Sequence, residues 1–282
     1  MLRSSQRALV INTYTTMTSK EKMLWAAIVI VLGGVGFASY FYFNDRETSG
    51  PPQAEVAPPP QASAEPAVLN PVPGNASADA SKPLPALAES DSALAEALAQ
   101  VFGQDSVAGQ LVRTNIVRNI VVTVDNLARQ KVAVARRPVK PIGGQTLATG
   151  DADSGEVVTL DVKNFARYAP FVAAVHGADV KQVAELYFHW YPLFQQAYED
   201  LGYPGRYFND RLVETIDHLL KTPDVAGPIQ LLRPKVFFEF ADPALESRSA
   251  GQKLLLRMGH DNAAEVKAKL RELRAEIAGR KP

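Results

Sequence analysis

The stretch Leu201–Leu220, LGYPGRYFNDRLVETIDHLL, predicts the end of one helix, a tight turn and the start of a second helix. Gly202 suits the position just past a helix end, and Gly205 suits a turn position with positive φ. Asn209 is predicted to cap the second helix, with Phe208 directly before the cap. Apolar residues after Asn209 recur at helical spacing, so we expect one face of this helix to be buried.

The polar residues of this stretch define the candidate binding site. Turn, cap and helix-dipole roles account for most of them, but not for Arg206, Tyr207 and Arg211. Arginines beside a helix N-terminus are placed to bind an anion, because backbone N–H groups and the helix dipole favour negative charge there. We therefore predict a binding site, for an anion or for a partner, at Arg206, Tyr207, Asn209 and Arg211.

The sequence on either side of this stretch is mostly helical, with a small amount of β-structure. Residues 111–130 are ambiguous because they are rich in β-branched residues, but their apolar positions keep helical spacing over sixteen residues. Nine aromatic residues between 187 and 208 lie largely on one helical stripe, which favours core packing. Helices are predicted at 90–103, 111–130, 161–168, 170–177, 179–200, 209–220, 244–258 and 262–278, a hairpin within 145–161, and one or two strands within 228–240. This order of elements predicts an α+β domain.

An apolar run near the N-terminus, Met23–Phe43, contains 21 residues without a charge. About 20 such residues span a bilayer, so we expect one transmembrane helix; the alternative is a cleaved signal peptide. Four basic residues precede the run, which predicts a cytoplasmic N-terminus. The remainder would then be periplasmic, and the protein a single-pass protein of the bacterial inner membrane.

The segment after the predicted span is rich in proline and alanine. Ten of the 20 prolines lie between Pro51 and Pro85, where large apolar residues are scarce, so the segment is predicted to be a disordered linker. The expected organisation is a cytoplasmic segment 1–22, a transmembrane helix 23–43, a linker 44–88 and a globular domain 89–282. Met17 is an alternative start ahead of the span.

Composition excludes several function classes. Thirty basic residues balance thirty acidic ones, so nucleic acid is not an expected partner. The absence of cysteine removes disulfides and thiol chemistry, and the four histidines show no pair at metal-ligand spacing. No metal and no cofactor are expected, and the motifs of serine hydrolases and phosphate-binding loops are absent.

The tethered architecture predicts a protein that binds or scaffolds an unidentified envelope protein or cell-wall polymer. The alternative is a peptidoglycan-directed hydrolase that uses acids such as Asp210 or Glu214, because paired carboxylates need only spatial proximity. Arg206 and Arg211 would then hold an anionic group of the substrate.

The long block LGYPGRYFNDRLVETIDHLLKTPDVAGPIQLLRPKVFFEFADPALESRSAGQKLLLRMG, residues 201–259, resembles DUF3014, a bacterial envelope family of unknown function. The resemblance extends upstream through VVTVDNLARQK and FARYAPFV and covers about residues 89–274. Members of the family are similar in architecture, with a short start, one span, a linker and the domain. The resemblance implies no activity and no catalytic or binding residue.

Overall fold

The computed structural model describes residues 67–73, 83–131, 133–142, 144–152 and 155–278. The predicted span Met23–Phe43 lies outside these ranges. Within them, no helix combines the length and apolarity needed to cross a bilayer. The helices are α1 Asp91–Phe102, α2 Gln104–Gln110, α3 Ile116–Leu127, α4 Lys163–Ala166, α5 Ala169–His176, α6 Val180–Asp200, α7 Phe208–Leu220, α8 Pro243–Glu246, α9 Ala250–Arg257 and α10 His260–Ile277; the strands are β1 Ala148–Thr149, β2 Val158–Leu160, β3 Gln230–Leu232 and β4 Glu239–Phe240.

The long helices form the main layer of the fold. Helix α6 packs against α3 and α10, and α10 also packs against α5 and α7. Helix α6 continues through Pro192 without an interruption. Its aromatic stripe is largely buried, as its spacing predicts, with Trp190, Phe194 and Tyr198 each less than one tenth exposed. Val266, Leu270, Leu273 and Ile277 of α10 are buried in the same core, so this helix docks on its own domain.

The four strands form one antiparallel sheet in the order β1-β2-β3-β4. Ala148 pairs with Leu160 across the predicted hairpin, and Leu231 pairs with both Val158 and Phe240. The sheet forms a second, smaller apolar cluster that includes Leu256 of α9. The prediction of an α+β domain with a small sheet is therefore confirmed.

The prediction of one helix over 244–258 is wrong. Two helices, α8 and α9, replace it, and each begins with its own side-chain cap. Asp242 accepts a hydrogen bond from the N–H of Ala244, and Ser249 accepts one from the N–H of Gln252. Each cap satisfies a backbone donor that would otherwise be free at a helix start.

Helix α9 crosses α3 and α7 at a glycine. A Cβ on Gly251 would lie 2.5 Å from Cδ2 of Leu219 and 2.9 Å from the carbonyl oxygen of Leu127. The backbone of α9 therefore approaches the backbone of α3, and the Leu219 side chain of α7, more closely than any larger residue would allow.

Two parts of the predicted linker lie against the domain. Leu87 is buried in the main core, within a 3-10 helix at Leu87–Glu89. Further upstream, residues 67–73 lie beside the start of α7, with Asn70 and Val72 half-buried. The linker predicted at 44–88 is thus in part a component of the fold.

Candidate functional site

The site lies at the N-terminal end of α7, where the predicted residues fall. The prediction that Asn209 caps this helix is wrong: α7 begins at Phe208, and no side chain of the residue before it makes a cap. The first backbone donor is instead satisfied from α6, because the N–H of Phe208 donates to Oε1 of Gln195 over 2.8 Å. The Gln195 amide also donates to the carbonyl oxygen of Arg206 over 2.8 Å. One side chain of α6 therefore fixes both sides of the turn into α7.

The carboxylate of Asp210, in the first turn of α7, holds the upstream segment 67–73. Its Oδ1 accepts hydrogen bonds from the backbone N–H of Asn70 over 2.6 Å and from Nδ2 of the same residue over 2.9 Å. Its Oδ2 accepts a hydrogen bond from the N–H of Leu69 over 3.0 Å. Hydrogen bonds to an ionised acceptor are stronger than neutral ones, and a carboxylate is favoured at a helix start.

Tyr207 and Asn209 hold the same segment on either side of Asp210. The Tyr207 hydroxyl accepts a hydrogen bond from the N–H of Val72 over 2.9 Å. Nδ2 of Asn209 donates to the carbonyl oxygen of Asn70, also over 2.9 Å. The segment is therefore gripped mainly through its backbone.

The docked segment presents alternate residues to the domain. Asn70 and Val72 are half-buried, whereas Leu69 is 76% exposed and Pro71 is exposed. Val72 packs against the main core. Such alternation is typical of an extended peptide, whose successive side chains point to opposite sides.

Asn209 connects this site to the core. It is fully buried, and its Nδ2 also donates to the carbonyl oxygen of Ile277, at the end of α10, over 2.9 Å. Its Oδ1 accepts a hydrogen bond from the hydroxyl of Tyr187 over 3.0 Å. Burial, with neighbouring Tyr191 and Tyr207, raises the pKa of Tyr187 well above its usual value, so this hydroxyl remains a proton donor. Every polar atom of the Asn209 side chain is thus used to join α6, α7, α10 and the docked segment.

Arg211 does not point into this site. Its Nε donates to Oδ1 of Asp125 over 3.1 Å, and a terminal nitrogen donates to the Asp125 carbonyl oxygen over 2.7 Å. A second terminal nitrogen pairs with Glu214 over 2.9 Å. Asp125, on α3, is buried and also pairs with Arg129 over 2.8 Å. We call the ionic group formed by Asp125, Arg129 and Arg211 the α3–α7 clasp.

Arg206 lies in the turn and is exposed. Among the described residues its guanidinium makes no hydrogen bond and no ion pair. Of the four predicted residues, the structure therefore brings Tyr207 and Asn209 together on the docked segment, while Arg211 serves the α3–α7 clasp and Arg206 faces solvent. The prediction of a ligand at this site remains a prediction.

The two acids named for acid–base chemistry, and the histidine of the same helix, all make structural contacts. Asp210 binds the docked segment, and Glu214 pairs with Arg211. Nε2 of His218 lies 2.9 Å from the hydroxyl oxygen of Ser249. Burial, together with the nearby charges of Lys221 and Arg211, lowers the pKa of His218. The described part of the chain contains no group of three His, Asp or Glu side chains placed to hold a metal ion.

Sequence reasoning missed Asp210 as a binding residue and missed the segment that it holds. Asp210 lies in the first turn of its helix, where the helix dipole favours an acid, so its position already had a local explanation. The docked segment is short and lies among prolines, so it was assigned to the linker in spite of its apolar residues Val68, Leu69 and Val72.

Comparison with known proteins gives a family but no activity. Neither the curated proteins nor the solved structures contain a match. The family model described as "Protein of unknown function (DUF3014)" matches residues 116–274, which are 159 of the 282 residues and include the whole of α7. The docked segment 67–73 lies outside the matched range. The chain therefore belongs to DUF3014, a family of proteins of unknown function.

Proposed function

We propose that this protein is a membrane-tethered binding module of the bacterial envelope, and that its domain binds an extended peptide segment at the start of α7. The observation that carries the proposal is the grip of Tyr207, Asn209 and Asp210 on residues 67–73. Backbone recognition of an extended segment, with pockets for alternate side chains, is a recurring mode of peptide binding. The membrane tether rests on the uncharged run Met23–Phe43 and on the basic residues before it.

The contacts favour a peptide over an anion as the occupant of this site. A peptide offers N–H donors, and the site offers the acceptors that match them: the Asp210 carboxylate and the Tyr207 hydroxyl. An anion would meet the negative charge of Asp210, and Arg211 is already paired in the α3–α7 clasp. The site therefore has the polarity of a backbone-binding site.

The docked segment would act as the resting occupant of the site. It is joined to the domain by the chain itself, so its effective concentration at the site is on the order of millimolar. A partner segment must therefore bind tightly enough to displace the docked segment at this effective concentration. The proposed partner is an extended segment of an envelope protein with an amide side chain and, two residues later, a small apolar one, as in Asn70 and Val72.

A peptide competition experiment tests this proposal. We expect a labelled peptide of residues 67–73 to bind a full-length variant in which Asn70 and Val72 are replaced by proline, and to bind the wild-type chain less tightly. Proline has no backbone N–H, so this variant loses the donors to Asp210 and to Tyr207 and cannot occupy the site in the same way. Adding Asp210→Ala to that variant should weaken binding tenfold or more, because each hydrogen bond to a charged group contributes about 1.5–3 kcal/mol.

Asp217→Ala provides the matched control, because Asp217 lies on the same helix and pairs with Arg274 rather than with the segment. It should leave the peptide affinity unchanged. The proposal fails if the proline variant does not bind the peptide, or if Asp210→Ala and Asp217→Ala have equal effects.

The location in the envelope is tested separately. A C-terminal alkaline phosphatase fusion should be active, since that enzyme folds only outside the cytoplasm. An inactive fusion that is stably expressed would place the domain in the cytoplasm and remove the periplasmic part of the proposal.

A further inference from the structure

A cavity of about 80 Å³ lies between helices α1, α3, α6, α7 and α10. Twelve of its fourteen lining residues are buried and apolar or aromatic; the other two, Leu186 and Tyr187 of α6, are half-buried. The cavity therefore lies within the main core and approaches the surface on the Leu186 side of α6. It is separate from the peptide site, although Tyr187 contributes to both.

A gap of this size in a core is costly. Side chains at a void lose the contacts that they would otherwise make, and core cavities destabilise a fold by about 24 cal/mol per Å³. Dry cavities lined by leucine, isoleucine and phenylalanine bind small apolar molecules; an engineered cavity of about 150 Å³ takes up benzene or xenon. The cavity of this protein has the same kind of lining.

One residue of the cavity lining carries a buried polar atom without a partner. Trp190 is 4% exposed and lines the cavity, and its Nε1 has no hydrogen-bond acceptor among the described residues. A buried indole N–H normally finds a partner, because leaving it unpaired costs free energy. An acceptor on a bound molecule would satisfy it.

We infer that the cavity is a binding site for a small apolar molecule that carries one hydrogen-bond acceptor, such as a short-chain or cyclic ketone, with the acceptor on Nε1 of Trp190. A site that is mostly apolar, with one placed polar group to fix orientation, is the usual design of a small-molecule pocket. This inference does not depend on the peptide site, because it rests on the cavity lining and on Trp190.

Methyl NMR of the full-length protein locates binding within the fold. Xenon is the first probe, and we expect it to shift the methyl signals of Leu98, Val124 and Ile277, which line the cavity. The methyl signals of Leu160, which lies in the sheet cluster, should not move. Leu98→Phe should fill the cavity and abolish the xenon response, whereas Leu160→Phe should preserve it.

A pair of ligands then tests the role of Trp190. Cyclopentanone and cyclopentane differ by one carbonyl oxygen, and we expect the wild-type protein to bind the ketone about three- to tenfold more tightly, as one neutral hydrogen bond allows. Trp190→Phe keeps an aromatic ring but removes Nε1, so it should retain the xenon response and lose the preference for the ketone. The inference is overturned if xenon shifts no cavity methyl, which would mean a packing gap only, or if the ketone preference is absent or survives in Trp190→Phe.

Discussion

Replacing Arg211 by alanine tests whether this residue holds the fold together or is available to a ligand. The substitution removes the two hydrogen bonds from Arg211 to Asp125 in the α3–α7 clasp, and also the exposed pair with Glu214. It leaves the Asp125 carboxylate, whose side chain is 7% exposed, with Arg129 as its remaining ionic partner. Removing one partner of a buried ion pair costs about 3–5 kcal/mol. Because Asp125 retains Arg129, we expect a loss of about 2–3 kcal/mol in the free energy of unfolding.

Thermal and urea unfolding of the purified protein measure this loss. For a domain of this size, the expected decrease in Tm is about 4–12 °C. Glu214→Ala is the matched control, because it removes the exposed partner of the same arginine. The Glu214 side chain is 69% exposed, so its removal should cost less than about 1 kcal/mol.

Arg211→Lys should fall between the two variants, since a lysine keeps the charge but cannot reproduce the three donors of the guanidinium. Equal effects of Arg211→Ala and Glu214→Ala would refute the clasp. Arg211 would then be free to serve a ligand, as the sequence alone suggested.

Three further predictions concern packing, capping and pH. Gly251→Ala should destabilise the protein by about 1–3 kcal/mol in urea unfolding, because the added Cβ would meet the backbone carbonyl oxygen of Leu127. Gly109→Ala is the control and should be neutral or stabilising, because no atom lies within 4 Å of the added Cβ. Asp91→Ala should cost about 1 kcal/mol by the same measurement, because its carboxylate accepts hydrogen bonds from the N–H groups of Asn115 and Ile116 at the start of α3; no change would disprove the cap. Because the pKa of His218 is lowered in the folded protein, the unfolded chain takes up this proton at a higher pH than the folded chain does. The free energy of unfolding should therefore fall as pH decreases below about 6.5. His218→Gln should reduce the difference between unfolding curves measured at pH 5 and at pH 7.5.

The periodic parts of the fold could be predicted from the sequence. Helix α3 forms despite its β-branched residues, because nine of its twelve positions are buried and its apolar spacing has one consistent period. The Asp179 cap of α6 was also predictable, since its acceptor lies two residues from the donor, the N–H of Lys181. Signals of this kind are local, and a single sequence contains them.

Capping by a distant side chain could not be predicted in this way. The start of α7 depends on Gln195 of α6, and the start of α3 depends on Asp91 of α1, which is 24 residues away from Asn115. Asn115 has a φ of 53° and makes no cap with its own side chain. Such caps form only after the helices have packed. A prediction from the sequence alone therefore assigns the cap to the nearest polar residue, which is why Asn209 was wrongly predicted to cap α7.

The binding site predicted from the sequence stays a prediction. The glycine turn and the cluster of Arg206, Tyr207 and Arg211 drew attention to the start of α7, and the structure places residues 67–73 there. Its occupant could not be predicted, because the contact between Asn70 and Asp210 joins residues 140 positions apart. Recognition of a backbone also leaves little trace in the sequence of the segment that is recognised.

The docked segment also determines where a pulling force would enter the domain. From the end of the predicted span at Phe43, 23 residues lead to the docked segment and 45 lead to the predicted start of the domain at Glu89. At about 3.4 Å per residue, these lengths reach at most about 80 Å and about 150 Å. In the proposed membrane tether, tension on the shorter connection would be borne by Asp210 and Asn209, and their release would nearly double the distance that the domain can reach from the bilayer.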